Sequence, residues 1–291
     1  MENPFQDTFK SDQTDQKLIT QAVNGSRSEL ETLISRHQTW LFNLVLRMVG
    51  NVHDAEDVTQ EIIIKVLSKL SAFRAESSFR TWLYRIAANH VITMKYRSRE
   101  DISFDQHRRL IESMPDQDLS GSRSYPVEAQ CLIEETKINC MMGLVLCLDP
   151  YQRLAFILAV FGANSAMGGV IMEISPESYR QQLSRARKQL NNFMNEKCGL
   201  MKAENPCRCA KKTKAAIKAG YVDPHSLQFN ESYVQQIGSL VTRQTYCVDN
   251  ALELRSQFLY RRQPFFQSPD YVQVLRSMLQ REGMQQWLNF S

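Results

Sequence analysis

What this chain lacks narrows it first. Its longest apolar runs, such as LAFILAVF, fall far short of the roughly 20 residues a bilayer-spanning helix needs. The opening stretch MENPFQDTFKSDQTDQK is polar and holds no apolar core of a secretory leader. Both absences point to a cytoplasmic protein with no membrane partner. Catalytic signatures are missing too. There is no HExxH, no cysteine with an evident histidine partner and no phosphate-cradling glycine loop, so the expectation is not an enzyme. Charge excess is small, at +4, so any basic signal must lie in clustering rather than in the total. Seven cysteines are an odd number, and without a leader they argue against a disulfide framework. What remains is an ordinary soluble composition, 43% apolar, over 291 residues, enough for about two domains or three.

Against that plain background one stretch stands out, from Asp54 to Arg99. Its first half is DAEDVTQEIIIKVLSKL. Val58, Ile62, Val66 and Leu70 fall at four-residue steps, with Ile63 and Leu67 alongside, which predicts one apolar helix face. Asp54, Glu56, Asp57, Gln60 and Glu61 crowd the start of that helix. Acids there suit the positive end of the helix dipole. A docking face for another protein explains their tight clustering equally well.

The second half, FRAESSFRTWLYRIAANHVITMKYRSR, is basic and threaded with aromatics. Phe79, Trp82, Leu83, Ile86 and Ala87 follow helical spacing and should be buried. The other face carries Arg80, Arg85, Asn89, Thr93, Tyr96 and Arg97. From Ser71 to Glu100 there are six Arg or Lys against two acids. Cations neutralise phosphates, Asn and Thr read base edges, and rings stack on unpaired bases. The short loop Phe73 to Ser78 is polar and edged by aromatics, a shape that can hold an extruded base. A solvated basic helix is the plainer alternative.

These two linked motifs resemble the second conserved region of bacterial sigma factors, most nearly the extracytoplasmic-function group, over Leu33 to Arg99. The resemblance implies that Asp54, Asp57, Gln60 and Glu61 face the clamp helices of the polymerase β′ subunit. It implies that the loop and following helix bind and help melt the −10 promoter element, through Phe73, Arg74, Ser77, Ser78, Arg80, Arg85, Asn89 and Arg97. Trp82, in FRTWL, is structural in the family.

A second DNA module is expected between Leu144 and Phe193. LDPYQRLAFILAVF offers Asp149 as a cap and Pro150 at the first helical position. After the break at Gly162-Ala163-Asn164 comes the small helix SAMGGVIMEI, and Ser175-Pro176 opens PESYRQQLSRARKQLNNFM. Helices joined by a tight turn, the last one basic, form a helix-turn-helix. Leu183, Ala186 and Leu190 should face inward, leaving Glu177, Ser178, Arg180, Gln181, Arg185 and Lys188 outside. The resemblance makes this region 4, the −35 reader that also meets the polymerase β flap, and SRARKQL matches its usual ending. Two adjacent glycines, at about 1 kcal/mol each in a helix interior, mean that the middle helix is held by tertiary contacts or that the reader is weakened.

Between the modules, MPDQDLSGSRSYPVE is polar, net acidic and reads as a flexible linker. Past the second module, Cys198, Cys207 and Cys209 fall within twelve residues. Seven Lys or Arg stand against one Glu from Lys197 to Lys218. Neighbouring cations favour thiolates, and a compact thiolate loop can hold a structural zinc, with His225 or Cys247 as a fourth ligand. A redox pair or inert cysteines are the alternatives; the sigma reading itself requires no cofactor. Cys131, Cys140 and Cys147 read as small buried hydrophobes. NPCRCAKKTKAAIKAGYVDPHSLQF resembles a tail appended to some members of the group. The remaining stretch, Glu231 to Ser291, is helical in pattern, with Tyr260, Phe265, Phe266 and Trp287 needing burial. It should pack on the core and regulate it in cis, or dock another protein.

The expected architecture is all-α. Residues 10–100 would bind polymerase and the −10 element, and 101–129 would be the linker. Residues 130–196 would bind the −35 element, 197–230 would form the basic cysteine segment, and 231–291 the helical extension. Partners would be core RNA polymerase, promoter DNA and, in some circumstances, an anti-sigma factor. A helix-turn-helix regulator acting without polymerase is the alternative.

Overall fold

A computed structural model describes residues 9–94, 102–119, 127–225, 227, 257, 259–261, 263 and 265–279. The helices, in chain order, are α1 (Phe9–Val23), α2 (Arg27–Val49), α3 (Val52–Lys69), α4 (Phe79–Thr93), α5 (Phe104–Ser113), α6 (Val127–Leu146), α7 (Pro150–Val160), α8 (Ser165–Met172), α9 (Pro176–Lys197), α10 (Cys209–Lys218) and α11 (Tyr271–Leu279). The all-α expectation holds. Among the described residues the one β-type pairing is an isolated bridge between Cys198 and Cys207. Also among them, no helix is long and apolar enough to cross a membrane.

Contacts group the chain into two compact units. One comprises Glu2–Arg97, Pro150–Leu183 and Gln267–Ser291; the other comprises Met1, Ser98–Asp149 and Ser184–Phe266.

In the first unit α2 is the central post. Every residue from Leu41 to Val49 is buried, because α1, α3, α4, α7 and α11 all pack on it. Such a helix cannot be amphipathic, and its polar members need internal partners. Arg47 donates to the Asn43 carbonyl at 3.3 Å and to Asn43 Oδ1 at 3.0 Å. Its guanidinium lies 5.2 Å from the Phe161 ring centre, and burial pulls its pKa down to about 10. Arg153 of α7 donates to the Met48 carbonyl at 2.8 Å, so a buried cation ties two helices together. Asp15 of α1 accepts from Arg36 at 2.8 Å and lies 2.9 Å from the His37 ring.

In the second unit α5, α6, α10 and the later part of α9 pack together. Phe104 and Phe193 meet at 5.8 Å, and Tyr260 donates to the Met141 carbonyl at 3.0 Å. The His107 ring lies against Gly143, where an added Cβ would stand 2.8 Å from it. The expected linker is thereby corrected in part. Residues 104–113 form α5, opened by a reciprocal capping box between Ser103 and Gln106. The acidic residues after it are not loose either. Asp116 pairs with Lys212 at 3.0 Å and Asp118 with Lys211 at 2.8 Å, while Gln117 N–H donates to the Lys211 carbonyl at 2.9 Å.

Candidate functional site

The acidic stretch becomes the first turns of α3. Gly50, at φ 73°, ends α2 in the left-handed region. Asn51 then caps α3, its side chain accepting from Asp54 N–H at 3.1 Å. Ala55, Val58, Thr59, Ile62, Ile63, Val66 and Leu67 are buried, as their spacing predicts. Asp57, Gln60 and Glu61 fall at i, i+3 and i+4 and share the outward stripe; Asp57 and Glu61 are exposed, while Asp54 and Gln60 are half-buried. Ile64 continues the stripe at i+7 and is 39% exposed, an apolar tip that sequence periodicity passed over. Glu61 is anchored by His90 of α4 at 3.1 Å. Burial, and then Lys65, keep that imidazole below its ordinary pKa.

The loop and α4 follow. Ser78 caps the helix, accepting from Thr81 N–H at 3.1 Å. Phe79, Trp82, Leu83 and Ala87 are buried as expected, whereas Ile86 is only half-buried. Phe73 is not free for stacking. It meets Phe79 at 5.7 Å and Trp82 at 5.4 Å, edge to face, and so anchors the loop to the core. Arg74 is exposed, Ser77, Ser78 and Arg80 are half-buried, and Ala75 holds a left-handed φ of 56°. Arg85 and Asn89 share the outer face of α4 with a partner already in place. Asn89 donates to Glu173 at 3.0 Å, and Arg85 lies 3.8 Å from the same carboxylate. Glu173 sits just past α8 at a left-handed φ of 55°. Tyr96 and Arg97 lie outside the described residues.

The helix-turn-helix forms from α7, α8 and α9. The two glycines do not weaken α8; they let it be approached. Gly168 lies under the Tyr179 ring, where no Cβ fits, and a Cβ on Gly169 would stand 2.8 Å from the Ile174 carbonyl. Tyr179, buried and donating to the Ala155 carbonyl at 3.0 Å, clamps α9 onto this pair. Ser175 caps α9 by accepting from Ser178 N–H at 3.1 Å. Ala186 and Leu190 are buried and Leu183 half-buried, while Glu177, Arg180, Gln181, Arg185 and Lys188 are exposed, with Ser178 half-buried. Arg180 pairs with Glu177 along the helix.

Comparison with known proteins then decides the family. The sigma-70 region 2 family matches residues 33–100. The ECF RNA polymerase sigma factor SigW of Bacillus subtilis is 33% identical over 182 residues, covering 62% of this chain and 96% of its own. The chain belongs to the ECF RNA polymerase sigma factors. The ECF sigma-E factor of Haemophilus influenzae is 42% identical over 76 residues, 26% of this chain and 40% of its own. ECF sigma factor SigE of Mycolicibacterium smegmatis is 25% identical over 166 residues, 56% of this chain and 61% of its own. A solved structure of CnrH in complex with the cytosolic domain of CnrY aligns with 62% of this chain and 97% of its own, at TM-score 0.45 and 21% identity.

The cysteine segment of this sigma factor gathers a thiol from a distant helix. Cys198, Cys207 and Cys209 line one small apolar cavity together with Cys140 of α6. His225 is exposed, and Cys247 lies outside the described residues. The neighbouring cations do not make thiolates here. Burial pushes Cys198 and Cys207 above the usual thiol range and Cys209 up to about 12, outweighing Arg208, Lys212 and Lys137. Thiols are the right donors for a soft metal, but as placed no three such side chains converge on one point among the described residues. Farther on, Tyr260 and Phe266 are buried and Phe265 half-buried, while Trp287 lies outside the described residues.

Proposed function

We infer that this sigma factor binds core RNA polymerase, directs it to a particular set of promoters and helps open the DNA for initiation. One observation carries the reading. A water-facing acidic stripe and a cationic loop-and-helix follow one another on adjacent helices of one folded unit, inside the region 2 match. Opposite charge on neighbouring faces lets one domain hold a basic partner surface and a phosphate backbone at once.

On this reading Asp54, Asp57, Gln60 and Glu61 take the polymerase clamp, with Ile64 as the apolar end of that footprint. Arg74, Arg80 and Arg85 neutralise phosphates of the −10 element, Ser77, Ser78 and Asn89 reach bases or sugars, and Phe73 supports the loop from within. Arg97 is assigned to the same strand by resemblance. Glu177, Ser178, Arg180 and Gln181 enter the major groove at the −35 element, with Arg185 and Lys188 on phosphates. The functional modules are residues 10–100 and 130–196. No bond-making falls to this chain; polymerase supplies the chemistry. The half-buried Cys140, Cys198, Cys207 and Cys209 serve as apolar packing where α6 meets α10.

Reconstitution with core polymerase, followed by run-off transcription on a genomic library, tests the reading. Promoter-specific transcripts that appear only when both components are present support it. A regulator that works without polymerase would instead give specific duplex binding by the chain alone and no new transcripts.

A further inference from the structure

The last described helix, α11, packs on α2 and reaches the start of α3, beside the surface assigned to polymerase. Its first residue, Tyr271, is 2% exposed and Leu275 1% exposed, both on the side that faces α2. Tyr271 meets the Phe42 ring at 6.4 Å. Its backbone N–H donates to Gln38 Oε1 at 3.0 Å, and its phenol reaches the Glu56 carbonyl of α3 at 3.5 Å. Ahead of the helix, the Ser268 and Thr39 hydroxyls share a hydrogen bond at 3.1 Å. About one and a half turns on, Arg276 makes a forked pair with Glu31, at 2.9 and 2.6 Å. The segment Ser268–Arg276 thus lies along α2 from Glu31 to Phe42, and its tyrosine touches α3 at Glu56, the residue before Asp57.

Two features of this contact matter. The first is position. A helix with its side chains is about 10–12 Å across, so a partner helix laid along Asp57, Gln60 and Glu61 needs room on either side of that stripe. Tyr271 stands at Glu56, the residue before Asp57, within that width. Its phenol is held above the ordinary tyrosine range, first by burial and then by the Glu56 and Asp57 carboxylates beside it. The second is weakness. Among the described residues α11 is held by two buried side chains, an ion pair from the exposed Arg276 and a few single hydrogen bonds, the kind of attachment that opens locally.

We propose that the segment from Ser268 to Leu279 is a built-in cover on the polymerase-facing surface of this sigma factor, and that core polymerase must displace it to assemble. The proposal rests on the clamp assignment for α3 given above. A cover closed nine-tenths of the time weakens apparent affinity by about tenfold, because only the open fraction binds.

The experiment titrates full-length protein onto core polymerase and reads the dissociation constant for the parent, Tyr271→Ala, Arg276→Glu, and Arg276→Glu combined with Glu31→Arg. Tyr271→Ala and Arg276→Glu are expected to tighten binding by roughly three- to tenfold. The charge-reversed pair should return to the parent value, which separates loss of the cover from general loosening. Circular dichroism checks that each variant keeps its helices. Equal binding by parent and variants overturns the cover and leaves the sigma reading intact. Weaker binding in both single variants also overturns it, making α11 a brace or a part of the interface. If neither parent nor variants bind polymerase, the sigma reading falls and the cover with it.

Discussion

The two units of this sigma factor handle ionisable groups differently. The unit built around α2 keeps Asp57 and Glu61 on α3, Arg74 beside α4 and Arg180 on α9 exposed, and gives the ions it buries internal partners: Arg47 bonds to Asn43, Arg153 to the Met48 carbonyl, and Asp15 to Arg36 and His37. The unit built from α5, α6 and α10 takes titratable groups inside. His107 is 6% exposed, and Cys140, Cys198, Cys207 and Cys209 line one cavity. Surface charge reaches partners at little folding cost, whereas a buried group without an ionic partner stays neutral and makes the fold sensitive to pH. On the proposed reading the exposed charges serve recognition, while His107 and the cysteines serve packing.

The largest test of this contrast is acid stability. Burial holds the His107 pKa at about 4, against an ordinary value of 6.5. The unfolded chain therefore binds this proton more readily, and stability is lost as pH falls from 6.5 towards 4. The expected loss is about 3 kcal/mol, read from denaturant midpoints across that range. His107→Gln should flatten that slope; an unchanged slope would place the sensitivity at another group. Asp15 belongs to a lower window: the His37 hydrogen bond and the Arg36 charge hold its carboxylate below the ordinary range despite burial, so its contribution is lost only as pH falls below about 4.

Next comes the recognition unit. Asp57→Ala with Gln60→Ala should weaken core polymerase binding by about 2 kcal/mol, some thirtyfold, with the melting temperature unmoved. Normal assembly by the double variant would remove the acidic stripe from the interface. A smaller effect belongs to Glu173, which holds two candidate DNA groups. Glu173→Ala should free Arg85 and Asn89 and strengthen binding to a −10 single strand by under 1 kcal/mol, most visibly at low salt. Weaker binding would mean that Glu173 positions those side chains instead of masking them. The smallest effect is expected at the thiols. A chelator should leave the melting temperature where it was, because neutral, half-buried thiols need no ion to pack. A fall in melting temperature, with one zinc released per chain, would show that the four thiols draw together around a metal.

Much of the recognition unit was legible in the sequence because its signals are local. The buried face of α3, the start of α7 at Pro150 and the start of α9 after Ser175 all follow from spacing and capping chemistry within a few residues. The capping box at Ser103 and Gln106 was equally local, but the polar composition around it suggested a linker. Other features depend on residues far apart in the chain. Gly168 looks like a helix weakness until the Tyr179 ring is placed on it. Phe73 looks available for stacking until Phe79 and Trp82 enclose it. Cys140 joins a cavity with thiols some sixty positions later. The capture of Arg85 and Asn89 by Glu173 is likewise tertiary, as is the cover formed by α11.

Ala75 has a consequence of its own. A residue with a side chain kept at φ 56° carries strain of about 1–2 kcal/mol that glycine would not. Phe73 is packed on one side by Phe79 and Trp82, and Ser78 is fixed as a cap on the other, so both ends of the 73–78 loop are tied down. On the proposed reading a nucleotide settling there would meet a shape largely set in advance and would lose little motional freedom on docking.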